Sequence, residues 1–286
     1  KNSSWLISDK VFSMLIGVFI LAIVARYLGP EKYGEFNYAL SFVALFTALS
    51  TLGLETLIVK AIVHKDDEEG TILCTSLLMR FVGGILLTVV AGIIIRFLEP
   101  NDKSLHFLVL IMSSTMVVKS LEVIEYWIQA YQKSMITSII RMAVSVVSAG
   151  LKLTFVLLEG DLIHLAFIYT LDAIFIGVSL IIAYFKIRGI TSRWRFKLSY
   201  AKTILSQSWY LILSGLMGTL YMKIDQVMLG TMLTTKVELG IYSAAVQVAT
   251  MWYFVPMAII TSFKPVIMSK KKVNEEAYLK SVQLLY

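Results

Sequence analysis

Eight apolar stretches, each long enough to cross a bilayer as a helix, follow one another along this 286-residue chain with short polar breaks between them. They lie at about 5–28, 36–60, 72–98, 105–127, 135–158, 163–185, 203–230 and 238–265. Breaks such as Gly29-Pro30-Glu31-Lys32, Lys65 to Glu69, Glu99 to Lys103 and Glu159-Gly160-Asp161 are too short to hold an extramembrane domain. In hydrocarbon a backbone must satisfy its own N–H and C=O groups, which a helix does within one segment. The fold class is therefore all-α, a polytopic membrane helical bundle. Composition agrees, with 58% hydrophobic and 16% charged residues against about 25% charged in an average soluble domain. The lone Cys74 excludes an intramolecular disulfide and reads as a small apolar packing residue. No secretory leader is visible, because the first stretch outruns a signal h-region and lacks a small-residue cleavage site. Lys1 at the start and a fresh helical pattern before Tyr286 read as a fragment of a longer protein.

The one long polar connector runs from Lys186 to Lys202. It predicts a six-helix unit over 1–190, a cytoplasmic connector over 191–202, and the start of a second unit over 203–286. Basic residues are distributed unevenly between alternate loops. Sixteen fall with the N-terminus, the connector and the tail, and five (Arg26, Lys32, Arg96, Lys103 and Lys236) fall on the other side. The positive-inside rule puts the N-terminus, connector and tail in the cytoplasm. A net charge of +7 is thus a membrane-surface signal and implies no nucleic-acid partner. Gly34-Glu35-Phe36-Asn37-Tyr38-Ala39 is echoed by Gly240-Ile241-Tyr242-Ser243-Ala244-Ala245, and Ser4-Trp5 by Ser208-Trp209. Six spans separate the first from the seventh, so the echo suits parallel repeats related by an axis along the membrane normal.

Polar residues inside the spans are the pointer to function. Arg141, Ser145, Ser148 and Lys152 share one helical face of an otherwise apolar segment, Met135 to Leu158. A cation in hydrocarbon costs about 2.5–3.5 kcal/mol even on the lenient insertion scale, so such residues face a bundle interior or water. The fourth span carries Thr115, Lys119, Glu122, Tyr126 and Gln129 on one face, with Lys119 and Glu122 spaced to pair. Arg80 lies in the third span between Ser76 and Gly83-Gly84, and the seventh carries Tyr210, Ser214, Tyr221, Lys223 and Asp225. Stripes of small and hydroxyl residues also serve as helix-packing faces, and cations near span ends can snorkel. Five basic residues inside spans lean the reading toward a cation-lined cavity for an anionic headgroup. Arg offers a fork, Lys a compact charge, and Tyr126, Tyr210 and Tyr221 flat surfaces for sugar rings.

Enzyme signatures are missing. His64, His106 and His164 are scattered, there is no Walker loop or Gly-x-Ser-x-Gly elbow, and no cofactor motif is present. Asp66-Asp67-Glu68-Glu69 reads as a solvated charge run.

Two stretches carry a family resemblance. Ala25-Arg26-Tyr27-Leu28-Gly29-Pro30-Glu31-Lys32-Tyr33-Gly34-Glu35-Phe36 is followed by Leu52-Gly53-Leu54-Glu55. Lys223-Ile224-Asp225-Gln226-Val227-Met228-Leu229-Gly230 is followed by Leu239-Gly240-Ile241-Tyr242-Ser243. Together they resemble the polysaccharide transporter, or O-antigen flippase, branch of the multidrug/oligosaccharidyl-lipid/polysaccharide exporter superfamily. The resemblance implies a MATE-like transporter of about twelve or more helices in two lobes around a V-shaped cavity, in the bacterial inner membrane. It implies a cargo of undecaprenyl-diphosphate-linked oligosaccharide for lipopolysaccharide or capsule, flipped by alternating access. Its expected partners are the lipid-linked glycan, membrane lipids, and polysaccharide polymerase or glycosyltransferase proteins.

The reading is a non-enzymatic flippase. Arg141 and Lys152 are the first candidates for substrate contact, with Ser145 and Ser148 beside them and Arg80 and Lys119 next. Glu122 and Asp225 are assigned to charge balance or ion coupling, Asp225 from the family match. The alternatives are a cation-coupled drug antiporter of the same superfamily, a membrane-embedded glycosyltransferase or polymerase, and a non-transporting scaffold or sensor.

Overall fold

The computed structural model describes residues 2–188 and 194–252, and every element among them is helical. Continuous helix from Asn2 to Ser50 is interrupted at Gly29, whose φ of 71° and ψ of 171° are open in practice only to glycine. Pro30 follows at a first-turn position, where its missing N–H costs nothing. We call the two parts α1 (2–28) and α2 (30–50). The apolar run Ser8–His64 is 57 residues long, about 85 Å of helix against about 30 Å of hydrocarbon, so it cannot be one crossing. Val24 and Asn37, from either side of Gly29, line the same cavity, so the chain turns back there.

A second break, at Leu52 and Gly53 with φ of 53° and 58°, separates α2 from α3 (Leu54–His64). Next come α4 (Glu69–Leu98), α5 (Lys103–Ser113), α6 (Thr115–Val118), a 3-10 turn (Lys119–Glu122) and α7 (Val123–Ala130). Then come α8 (Ser134–Leu157), α9 (Leu162–Arg188), α10 (Leu198–Met232) and α11 (Val237–Met251). Among the described residues five runs are long and apolar enough to cross a bilayer: Ser8–His64, Glu69–Leu98, Lys103–Ala130, Ser134–Leu157 and Leu162–Ile187. These hold the first six spans, and α10 and α11 cover the seventh and the opening of the eighth. The rest of the eighth, residues 189–193 of the connector, and the tail lysines Lys264, Lys270, Lys271, Lys272 and Lys280 lie outside the described residues.

The crossing from Lys103 to Ala130 is broken for a visible reason. Ser113, Ser114 and Thr115 each donate a hydroxyl to the carbonyl three residues back, at 3.1, 2.6 and 2.6 Å, in competition with the backbone ladder. Carbonyls in this stretch are taken up by neighbouring helices: Thr88 donates to Ser113 O at 2.9 Å and Thr170 to Ile111 O at 3.1 Å.

Among the described residues two apolar clusters hold the bundle together. One joins α1, α2, α4, α5, α8, α9 and α11 around Tyr38, Val43, Ile95, Leu108, Met112, Leu165 and Leu239. The other joins α3, α4, α7, α9 and α10 around Ile58, Leu73, Ile124, Trp127, Tyr184 and Ile204. Large apolar residues such as Phe19, Phe97 and Leu157 are 75–81% exposed, as expected where the outer solvent is lipid.

The echoed glycines meet. A Cβ on Gly34 would stand 2.9 Å from Gly240 N and 3.0 Å from Lys236 C; one on Gly240 would stand 3.1 Å from Gly34 N and 2.8 Å from Pro30 C. Each glycine faces the other and the residue four before it, so the α2–α11 crossing is two-fold symmetric in its contacts. Gly34 and Gly240 belong to the echoed stretches of sequence. They sit one turn inside their helices and serve close approach. Beside this crossing Ser41 donates to Gln226 of α10 at 2.6 Å, and Gly230 lies against the Tyr38 ring.

The acidic run after α3 is engaged, in contrast to the solvated run expected from sequence. Asp67 pairs with Lys197 at 2.5 Å, and Lys197 N donates to Thr75 Oγ1 at 3.1 Å, which fastens the end of the connector to α4. Glu69 accepts from Trp127 Nε1 at 3.0 Å and from the Tyr131 hydroxyl.

Candidate functional site

Twenty-four residues of α8 form a helix with two unlike faces. Val146, Val147, Leu153 and Leu157 are exposed on one face, while Arg141, Ser145, Ser148 and Lys152 turn toward α1 and α9. Between α1, α2, α8 and α9 lies a cavity of about 720 Å³, reached also by Glu125 of α7 and Gln247 of α11. The segment from Arg141 to Lys152, eleven helical steps, carries its polar wall along about 16 Å of helix. The remaining wall is mostly apolar, with Ile16, Ile20, Val24, Phe36, Leu40 and Leu165, and two rings, Tyr33 and Tyr169.

The charges in the cavity are balanced. Arg141 faces Glu125 edge-on, with Nη2 at 2.5 Å from one carboxylate oxygen and Nε at 3.4 Å from the other. Lys152 Nζ is 3.4 Å from Asp172 Oδ2, which also accepts from Ser148 Oγ at 2.8 Å. Asp172 Oδ1 is buried without a partner. Near the Arg141 end Ser13 donates to Asp9 at 3.3 Å and shares a 3.2 Å hydrogen bond with Ser145. Lys10, Arg141 and Lys152 thus face Asp9, Glu125 and Asp172. A cation-lined chamber was expected, and the wall holds equal numbers of both signs.

Four of the sequence-selected residues meet here, and four do not. Arg80 is fully buried between α4 and the broken fourth crossing, donating to Tyr126 OH at 3.1 Å, with Glu122 at 3.8 Å. Its Nε and Ser76 Oγ lack partners. Glu122 therefore pairs with Arg80 and not with Lys119, which sits half-buried in the 3-10 turn outside the cavity wall. Asp225 accepts from Gln226 N at 2.8 Å and from the Tyr242 hydroxyl, linking α10 to α11. Tyr126 is buried against Arg80, and Tyr210 and Tyr221 are exposed on α10, so none of the three reaches the cavity.

Sequence reasoning passed over Glu125, Asp172, Ser13, Tyr33 and Tyr169. Asp172 carried a usable signal, being the one acidic residue in the sixth span. An intramembrane carboxylate opposite a stripe of two cations is by itself a prompt to look for a pair. Glu125 lay three residues beyond Glu122, which itself turns to Arg80, so nothing in the sequence said which of the two would reach Arg141.

No group of metal-ligating side chains occurs among the described residues. What the cavity offers is a set of donors and acceptors in matched pairs beside an apolar wall, suited to holding an amphipathic molecule.

A family model described as polysaccharide biosynthesis protein matches residues 1–270. No curated protein sequence matches significantly. Among solved structures, a multidrug resistance MATE family transporter of the MOP superfamily in an inward-facing conformation superposes with a TM-score of 0.67 at 15% identity. That alignment covers 96% of this chain and 66% of the transporter. A MOP superfamily transporter from Pyrococcus furiosus, whose binding pocket is described as reversed in polarity, gives a TM-score of 0.65 at 15% identity. It is matched over 100% of this chain and 67% of its own. The chain thus has the MATE transporter fold and spans about two thirds of the length of these structures.

Proposed function

The chain belongs to the polysaccharide biosynthesis protein family, and from that premise we propose that the protein moves a lipid-linked oligosaccharide across the bacterial inner membrane by alternating access. The observation that carries this reading is the amphipathic cavity between α1, α2, α8 and α9. Its polar wall suits a phosphorylated sugar headgroup, and its apolar residues suit the first isoprene units of an undecaprenyl tail. Arg141 and Lys152 hold the diphosphate in this proposal, and Ser145 and Ser148 add hydroxyls. Arg80 and Lys119 have no part in cargo contact, and Asp225 acts at the α10–α11 contact. The N-terminus and the connector face the cytoplasm, so the latch between Asp67 and Lys197 lies on the side from which cargo loads.

The multidrug relative raises a drug antiporter as the competitor. A pocket for an organic cation needs carboxylates that lack counter-ions, whereas Glu125 and Asp172 are each bound to a cation here. A neutral, internally paired wall suits a headgroup that brings both hydroxyls and phosphates.

The test is translocation by the full-length protein in proteoliposomes, followed with a fluorescent isoprenyl-diphosphate-linked sugar. The expected result is leaflet exchange well above protein-free vesicles, slowed at least about tenfold by Arg141→Gln. Exchange no faster than in empty vesicles, with protein shown to be inserted and folded, overturns the proposal.

A further inference from the structure

The cavity already contains a competitor for its cargo. Glu125 covers the Nε–Nη2 edge of Arg141, the same fork a phosphate would use, and Asp172 occupies Lys152. One guanidinium edge cannot serve two anions side by side. A headgroup that takes this edge displaces the carboxylate.

We propose that Glu125 and Asp172 are positioning residues that hold Arg141 and Lys152 in the empty site, yield them to the phosphate or diphosphate of the cargo, and take up protons as they do. The proposal rests on the reading above in one respect, that the cargo carries an anionic headgroup.

The proton follows from the surroundings of the displaced groups. The cavity that holds the Arg141 pair is lined by Asp9 and Lys10 on α1, Tyr33 on α2, Lys152 on α8, and Tyr169 and Asp172 on α9, and the Asp9 charge acts on Arg141. Glu122, on the 3-10 turn, adds a further negative charge to the field at Arg141. A Glu125 carboxylate deprived of its guanidinium would face Asp9, Glu122 and the new anion together. Each of these disfavours its charge. Asp172 is poised in the same way. With Oδ1 buried and unpartnered, it keeps its charge through Lys152 and the Ser148 hydroxyl, and losing Lys152 leaves the hydroxyl alone. Each released carboxylate takes one proton from water and becomes a neutral acid, while the phosphate oxygens take the N–H groups. No bond beyond that O–H forms or breaks. Equal charges of both signs are then restored around the bound headgroup.

Linkage fixes the sign. An anion whose binding takes up protons binds more tightly as pH falls, by up to tenfold per pH unit for each proton taken up. The folded protein should show this through calorimetry with farnesyl diphosphate in detergent, in buffers of different ionisation heats, between about pH 6 and 9. The ligand has its own late ionisation near about pH 6, so the readout is the difference between parent and variants. The parent is expected to take up more protons than Glu125→Gln, Asp172→Asn or the double variant. The double variant is expected to bind about tenfold more tightly at pH 8. Inorganic pyrophosphate and farnesol serve as the other two arms. Tight binding of the diphosphate lipid with weak pyrophosphate binding identifies a lipid headgroup as the ligand, and equal binding of both identifies a free anion.

Farnesyl diphosphate binding with equal proton uptake in parent and variants, or more weakly after either neutral substitution, overturns the displacement while leaving the cargo reading intact. Absence of farnesyl diphosphate binding by the parent overturns both.

Discussion

Alanine at position 240 sets two known effects against each other. Position 240 lies inside α11, where glycine is the poorer helix former by about 1 kcal/mol, so helix propensity alone predicts that Gly240→Ala stabilises the protein. Packing predicts the opposite. The new Cβ would stand 2.8 Å from Pro30 C and 3.1 Å from Gly34 N, all backbone atoms that cannot rotate away. Ordinary carbon–carbon contact is about 3.5–4.0 Å, so α2 and α11 must part by about 1 Å. A gap of that size forfeits between about a quarter and a half of each contact's attraction along the crossing. We expect a net loss of about 1–3 kcal/mol, with Gly34→Ala costing a similar amount. The double variant should cost less than the sum, because the first alanine has already separated the helices. Gly150 of α8, which has open space at its Cβ, is the control and should gain about 0.5–1 kcal/mol as alanine. The assay is reversible unfolding in mixed detergent, read by tryptophan fluorescence. Gly240→Ala matching or exceeding the parent while Gly150→Ala behaves as expected would refute the close crossing.

Ser41→Ala removes the donor to buried Gln226 and should cost about 1–3 kcal/mol in the same unfolding assay. Arg80→Met breaks a buried charge cluster, with an expected loss of about 3–5 kcal/mol, yet folded protein should bind farnesyl diphosphate with unchanged affinity, since Arg80 lies outside the cavity wall. The hydrogen bond from Lys197 holds the Asp67 carboxyl below the ordinary carboxylate range. A lowered folded value means that the latch contributes above the unfolded value of aspartate and is lost as pH falls through the folded one. Lys197 is half-exposed, so the contribution is at most about 1 kcal/mol. Cleavage of the connector by an acid-active protease should rise below about pH 4 in the parent. In Lys197→Ala that rise should be lost, because the latch is already absent above about pH 4.

The helices were legible because apolar length and short polar breaks are local properties, and the Gly29-Pro30 turn announces itself by residue type. The α8 stripe was legible for the same reason, since spacings of four, three and four residues need only one helix. The partners of that stripe were not. Asp172 and Glu125 sit on other helices, and nothing in the α8 segment says which residue a turn of α9 will set opposite Lys152. Arg80 shows the converse error. A cation in a span was taken as cavity lining, but it is satisfied within a packed crossing by Tyr126 and Glu122. Local back-bonding from Ser113, Ser114 and Thr115 broke the fourth span and spoiled a face drawn with a constant period. The glycine echo carried more than it seemed to, because two copies of one motif are placed to touch across a two-fold contact.

The central claim is that one face of α8 meets water and cargo while the other meets lipid. Single cysteines at 145, 146 and 147, in a Cys74→Ala background, test it directly with a membrane-impermeant thiol reagent in proteoliposomes. Position 145 should label and be protected by farnesyl diphosphate. Positions 146 and 147, the more exposed in the bare protein, should stay silent because lipid covers them. Labelling at 146 and 147 with silence at 145 would contradict the account.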